Sequence, residues 1–355
     1  MKFIHIADVH LGARPDRGRV WSNERTDEIK MAFNDIVRTC EEKQIDLLLI
    51  AGDLFDKPPE EKELKELDFQ LRKMPVTKTV IIAGEHDYIE ENSAWETYSF
   101  ESDTIVMPRD KATNAYLDEL NVCITGYSYG KPEYTERLLE RLVPGRENAY
   151  NILLGHGGDT NHMPFSKEKL ARLGFQYVAL GHVHKPSHIL KNKMAFAGSL
   201  EPLGYMDTGK RGYILGEVNE SGDTNITFVS CNRRSYINMA LDLNPTYTNA
   251  DISEMVEGQI LELGKENIYR VLLKGKIDSG LTINLSELIR RYNINEVINK
   301  TQQEKDIKEL QKGNENNIIG KFIELLNDEE RIGDEEIRNK AMRYAIDALL
   351  EAGDK

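Results

Sequence analysis

In the first half of the chain, one apolar stretch after another stops at a glycine, a carboxylate or an imidazole. Lys2 to Ala7 ends at Asp8, Asp46 to Ala51 ends at Gly52-Asp53, and Thr79 to Ala83 ends at Gly84-Glu85-His86-Asp87. Short apolar runs bounded by turn residues read as buried strands. Between the first two, Thr26 to Glu42 carries Ile29, Ala32, Phe33, Ile36, Val37 and Cys40 at helical spacing. A second helix is expected to open at Pro58-Pro59-Glu60-Glu61, because proline and acidic residues suit a helix N-terminus. Further strands are expected at Val122 to Gly126, Asn151 to Leu154, Tyr177 to Leu180, Met194 to Ala197 and Gly212 to Val218. Strands with intervening helices argue for an α/β layered fold, and the late hairpin-like strands for a mixed sheet.

The strand ends carry the chemistry. In order they read ADVHLG with Asp8 and His10, GDLFD with Asp53 and Asp56, GEHD with Glu85, His86 and Asp87, GHGG with His156, and GHVH with His182 and His184. In an α/β sheet, strand ends on one side converge on a single crevice. Three carboxylates and several imidazoles gathered there need cations among them. The mixed N/O donors suit Mn²⁺, Fe or Zn²⁺ better than Ca²⁺, and the lack of thiolates argues against a structural zinc. Asp8/His10 and His182/His184 are i, i+2 pairs that share a face when extended. With Asp53 as a bridging carboxylate, two such pairs suffice for two metals, the arrangement that serves phosphoryl chemistry. A lone DxH or GHxH would be ordinary turn chemistry, and a lone His156 an ordinary core histidine. Five motifs in order at five strand ends are not. His5, His162 and His188 carry no such expectation, His5 because it falls inside a strand.

Net charge is −14, from 46 Lys and Arg against 60 Asp and Glu, so the chain lacks the overall basicity of a simple nucleic-acid binder. Its distribution matters more. Arg14, Arg17 and Arg19 follow the Asp8/His10 pair, and Asn161 to Lys193 holds Lys167, Lys169, Arg172, Lys185, Lys191 and Lys193 against only Glu168. Basic groups beside a metal crevice fit contacts to a phosphate backbone rather than to bases. No apolar run is long enough to span a bilayer. The N-terminal stretch opens on a strand without a signal-like segment, and the three cysteines, Cys40, Cys123 and Cys231, form no disulfide framework. A cytoplasmic protein that makes no membrane contact is expected.

Past Arg234 the texture changes. Tyr236 to Leu243, a helix near Asp251 to Leu263, a strand at Tyr269 to Lys276 and a helix near Leu285 to Tyr292 suggest a small α/β unit. A polar linker is expected over Thr301 to Asn317. Two amphipathic helices follow, one with Ile318, Ile319, Phe322, Ile323, Leu325 and Leu326, the other with Ile337, Ala341, Met342, Ala345, Ile346, Leu349 and Leu350. Their apolar stripes are expected to dock on a partner.

The five motifs, in this order and spacing, resemble the calcineurin-like metallophosphoesterase superfamily, and most closely its SbcD-type double-strand-break repair nucleases. The opening FIHIADVHLG and the stretch Ala197-Gly198-Ser199-Leu200-Glu201-Pro202 are similar to that subgroup. The resemblance implies a layered metallophosphoesterase fold of mixed β-sheets flanked by helices over residues 1–234. It also implies a cap or DNA-binding α/β domain over 235–300, and a linker with an ATPase-binding helical segment over 301–355. It implies two divalent metals, Mn²⁺ foremost, with Mg²⁺, Fe or Zn²⁺ as further candidates. Asp8, His10, Asp53 and His184 would hold one metal; Asp53, Glu85, His156 and His182 would hold the other. His86 would act beside the scissile phosphate and Asp87 would orient it. The implied activity is a DNA exonuclease, with endonuclease activity as a further possibility, that processes ends as a homodimer with an SbcC-type coiled-coil, SMC-like ATPase. Arg14, Arg17, Arg19 and Lys185 are the expected DNA contacts.

One residue departs from the family. Its motif is GNHD, and here position 85 is Glu, longer than Asn and anionic. The substitution keeps a second class open, a catalytically weakened subunit that binds DNA ends. A phosphatase or cyclic-nucleotide phosphodiesterase is the alternative within enzymes.

Overall fold

The computed structural model describes residues 1–304, 310–312, 314–315, 317–326 and 344–345. The chain divides into two compact units, Met1–Asn238 with Glu266–Tyr269, and Met239–Lys265 with Arg270–Lys355.

The first unit is built on two six-stranded mixed sheets. In one, β1 (Lys2–Ile6), β2 (Leu47–Ala51), β3 (Lys78–Ile82) and β4 (Thr104–Val106) run parallel. Beside β1, β11 (Gly212–Val218) and then β12 (Thr224–Ser230) pair antiparallel. In the other sheet, β6 (Val122–Gly126), β7 (Tyr150–His156), β8 (Tyr177–Gly181) and β10 (Met194–Phe196) run parallel. Its edges, β5 (Thr113–Leu117) and β9 (Ser187–Leu190), are antiparallel. The apolar strands expected from sequence are all present. Four others, β4, β5, β9 and β12, escaped that reading because they are short or polar edge strands without a continuous apolar run.

Strand alternation explains the layering. Every residue of β2 is buried, yet its side chains divide between two cores. Leu48 and Ile50 pack with Ile4 and Ile6 against helices α1 (Ser22–Glu42) and α2 (Glu61–Leu71). Leu47, Leu49 and Ala51 pack with Phe3, Val80 and Ile82 against Ile124, Ile152, Leu154 and Ala179 of the other sheet. The outer face of that sheet, with Leu153, Val178, Leu180 and Met194, is covered by Leu139, Leu170 and Phe175. The result is helices, sheet, sheet and an outer layer of loops and short helices. The six α1 side chains expected to face the core are all buried, and removing one of them, as in Phe33→Ala, is worth about 3–5 kcal/mol. His5 lies between the sheets with its Nδ1 2.9 Å from the Tyr177 hydroxyl, a core histidine as expected. All three cysteines are free, and burial pushes the Cys40 thiol up to about 12.

In the second unit the sheet runs β13 (Tyr236–Leu243), β14 (Ile268–Asp278), β15 (Ile294–Asn299), with β16 (Gln302–Glu304) parallel to β14. The first residues of β13 and β14, up to Asn238 and Tyr269, are counted in the first unit. Helix α3 (Asn249–Leu263) starts at a Thr248/Asp251 capping box and buries Ile252, Val256 and Ile260 on one stripe. A linker was expected from Thr301, but β16 forms there, since a ladder needs backbone groups rather than apolar side chains. Of the two terminal helices, Ile318–Leu326 is present, with Ile319 and Ile323 buried and Ile318 and Leu325 exposed. The second, Ile337 to Leu350, lies outside the described residues except at Tyr344 and Ala345. Among the described residues no helix is long and apolar enough to cross a membrane.

Candidate metal centre

The carboxyl ends of strands from both sheets meet at one place. The Asp8 N–H donates to the Gly52 carbonyl at 3.1 Å, and the His182 N–H donates to Asp8 Oδ1 at 2.8 Å. Four residues here, Asp8, His10, Asp53 and His182, hold positive φ angles of 50°, 52°, 50° and 95°. Non-glycine residues rarely adopt this backbone, and such strain is tolerated where it aims functional side chains. Glycines allow the close approach: a Cβ on Gly52 would strike the His156 ring, and one on Gly84 would strike the Asp53 carboxylate.

All seven metal-type residues singled out in the sequence are brought together. Asp8, His10 and His184 present donor atoms within 4.8 Å of one another, as do Glu85, His156 and His182, and Asp8, Asp53 and His156. Asp53 belongs to more than one group: its Oδ2 lies 3.3 Å from His156 Nε2 and 3.8 Å from His10 Nε2. Glu85 closes the other side, 2.5 Å from His156 Nε2 and 2.6 Å from His182 Nδ1.

The electrostatics are those of charges crowded out of water. Burial dominates at Asp8 and raises its carboxyl above the ordinary range. Burial also opposes ionisation of Asp53 and Glu85, but the charge and hydrogen bond of His156, joined at Glu85 by those of His182, together outweigh it and hold both carboxyls low. His156 is subject to the reverse balance. Burial disfavours its charge, yet Glu85 and Asp53 raise it well above its usual value. Asp8 Oδ2 and both ring nitrogens of His10 are buried with no hydrogen-bond partner. Buried polar atoms are rarely left so. Facing mixed N/O donors with free lone pairs is the chemistry of a divalent-cation site, so the residues present fit such ions.

The surrounding shell was only partly legible in the sequence. His156 Nδ1 lies 2.6 Å from the Ala51 carbonyl, His184 Nδ1 3.2 Å from Asp207, and His182 Nε2 2.9 Å from Asp159. Such partners fix the tautomer and direction of a ligating imidazole. Asp207 and Asp159 carried no motif of their own, although Asp159 directly follows GHGG. His162 also joins, its Nδ1 2.9 Å from Asp159.

His86 is exposed at the mouth, its backbone N–H donating to Asp53 Oδ1 at 2.9 Å and its ring edge-on to His10 at 4.7 Å. Asp87 does not hold His86 as expected. Its carboxylate accepts the Gly84 N–H at 2.7 Å and the Phe55 N–H at 3.1 Å, while burial and the nearby Asp53 raise its carboxyl to about 7. Asp87 therefore shapes the loop that carries His86, because its two oxygens are each held by a backbone donor. Arg14, Arg17, Arg19 and Lys185 are exposed. Within the second basic strip, Lys169 is tied to Glu140 at 3.0 Å.

The model of the calcineurin-like phosphoesterase family matches residues 1–186, more than half of the chain. The chain belongs to the calcineurin-like phosphoesterase family. This phosphoesterase is 25% identical to the uncharacterized metallophosphoesterase YhaO of Bacillus subtilis, over 78% of this chain and 72% of that protein. It is 29% identical to the DNA double-strand break repair protein Mre11 of Aeropyrum pernix, over 63% of this chain and 59% of that protein. It is likewise 29% identical to Mre11 of Methanocaldococcus jannaschii, over 63% of each. The chain thus spans less than two thirds of these two Mre11 proteins. The expected fold and family hold, and the chemistry is that of a metal-dependent phosphoester hydrolase.

Proposed function

We propose that this phosphoesterase is a nuclease that hydrolyses phosphodiester bonds at DNA ends, using two divalent cations, Mn²⁺ foremost. The observation that carries the reading is the joining of two donor groups through Asp53. Similarity to Mre11 repair proteins supports DNA as the substrate. Asp8, His10, Asp53 and His184 would hold one cation, and Asp53, Glu85, His156 and His182 the other. Such a pair supplies Lewis-acid charge that neutralises a phosphodiester and makes water a better nucleophile at neutral pH.

The chain's own residues do the rest. His86, exposed beside His10 and tethered through its N–H to Asp53, is the group able to reach a phosphate oxygen and donate a proton to it. Asp87 holds the loop 84–87 so that His86 keeps this position. Arg14, Arg17, Arg19 and Lys185 would position the DNA backbone. We assign residues 1–234 to the nuclease domain, 235–300 to a DNA-facing cap and 301–355, which opens with the strand β16, to a linker and segment that docks on a coiled-coil ATPase, the whole acting as a homodimer in the cytoplasm. The exposed Ile318 and Leu325 on the helix at 318–326 support the docking role.

Glu85 favours a second reading, a weakly active subunit that binds ends, because a third carboxylate replaces the family's neutral amide. One experiment separates the readings. The protein is incubated with Mn²⁺ and end-labelled duplex DNA, a cyclic nucleotide or an aryl phosphodiester. We expect DNA degradation that is abolished in Asp53→Ala and reduced about 10²–10⁴-fold in kcat by His86→Gln. Retained DNA cleavage in Asp53→Ala would refute the site. Hydrolysis of the aryl diester with DNA left intact would refute the nuclease, and DNA binding without any hydrolysis would establish the end-binding subunit.

A further inference from the structure

A turn bonded to a histidine of the metal centre carries large apolar side chains where polar ones are usual. Gly204, Tyr205, Met206 and Asp207 form a turn, with the Asp207 N–H donating to the Gly204 carbonyl at 2.9 Å. Tyr205 and Met206 occupy its two corners, positions that favour Gly, Pro, Asn, Asp or Ser. They are 51% and 79% exposed. Val183, between His182 and His184, is 36% exposed.

The turn is tied to the centre. Asp207 Oδ2 accepts the Leu203 N–H at 2.9 Å and lies 3.2 Å from His184 Nδ1, while Arg211 reaches Asp207 Oδ1 at 3.4 Å. Met206 therefore stands one residue from the partner of a ligating histidine, and consecutive Cα atoms are about 3.8 Å apart. Lys185 and Lys210, both exposed, flank these apolar groups in sequence.

From this arrangement we propose that Tyr205 and Met206 form a stacking platform for the nucleobase next to the scissile phosphate. The inference rests on the nuclease reading and adds to it the part of the substrate that the metal centre itself cannot recognise. A phosphodiester gripped at the centre places its attached nucleoside beside the rim, within reach of residues this close to the ligands. The flat face of a base covers an aromatic ring and a polarisable thioether without needing a particular sequence. Lys185 and Lys210 suit the flanking phosphates. Selectivity for nucleic acid over small phosphodiesters would then reside in this turn, and the enzyme would tolerate all four bases.

The test compares wild type, the double variant Tyr205→Ala/Met206→Ala and Tyr205→Phe, each with Mn²⁺. Substrates are end-labelled DNA, the same DNA with an abasic terminal nucleotide, and bis(4-nitrophenyl) phosphate. Base stacking predicts that the double variant loses about 5–100-fold in kcat/KM for DNA relative to the aryl diester, chiefly through KM. Wild type should lose a similar factor on the abasic end, the double variant should no longer distinguish the two ends, and Tyr205→Phe should behave as wild type. A double variant that cleaves DNA with the wild-type ratio, or that still discriminates against the abasic end, overturns the platform while leaving the nuclease reading intact. Wild type that hydrolyses the aryl diester but no DNA overturns the nuclease reading, and the platform with it.

Discussion

Gly181→Ala is the most informative single-atom perturbation of this centre. Gly181 ends β8, and a Cβ built there would collide with the Ala51 carbonyl oxygen. It would also lie 2.7 Å from His156 Nδ1 and 2.8 Å from the Ala7 Cβ. The Ala51 carbonyl is the partner of His156 Nδ1 at 2.6 Å, so the new methyl lands where the two sheets and their shared histidine meet. Overpacking of this kind costs about 1–3 kcal/mol. Loss of the His156 contact adds about 1 kcal/mol. The metal-free variant should therefore unfold at lower urea, with a loss of about 3 kcal/mol that leaves the slope with denaturant unchanged. A histidine deprived of its orienting partner should also bind metal about 10–100-fold more weakly, read by calorimetric titration with Mn²⁺. Gly258→Ala is the internal control, since Gly258 lies within α3 with nothing within 4 Å of its Cβ position. It should stabilise by about 0.5–1 kcal/mol. Gly181→Ala with wild-type stability and metal affinity would refute the proposed junction between the sheets and His156.

Two other outcomes follow from particular residues. Glu85→Asn restores the family motif but withdraws a carboxylate that reaches both His156 and His182. Metal affinity should fall about tenfold or more, since ligand charge sets affinity at such sites, and unchanged titration curves would show that the carboxylate is silent. His5 is held neutral, burial lowering its imidazole to about 3 from 6.5. The unfolded chain therefore takes up a proton that the folded one refuses. Stability from this group is full above pH 6.5 and is lost as pH falls towards 3. Between pH 7 and pH 4 the wild type should lose roughly 3 kcal/mol more than His5→Gln in urea unfolding, and parallel losses would remove His5 as the cause.

The helices and central strands were legible because their signals are local. Ile29, Ala32, Phe33, Ile36, Val37 and Cys40 announce one helical face, and all six are buried. The edge strands β4, β5, β9 and β12 were not, because an edge strand is defined by its neighbour's backbone rather than by its own apolar content. Asp87 shows a different limit. Beside His86 in sequence, it reads as that residue's partner, yet its oxygens are taken by the N–H groups of Gly84 and Phe55. Buried donors with no other acceptor have the stronger claim on a carboxylate.

By itself the sequence determined the layered α/β class and the inventory of donors: glycine, carboxylate and imidazole at the ends of apolar strands. Those features depend on residues a few positions apart. Only the tertiary structure decided which donors meet and what holds them. Asp53 touching both His10 and His156, Asp207 bonded to His184, and Asp159 joining His182 to His162 depend on where loops from two sheets come to rest. So does the exposure of Tyr205 and Met206 on a turn anchored to the centre. Side-chain partners far apart in sequence are chosen by packing and by the cost of leaving buried polar groups unpaired, and neither leaves a local pattern to read.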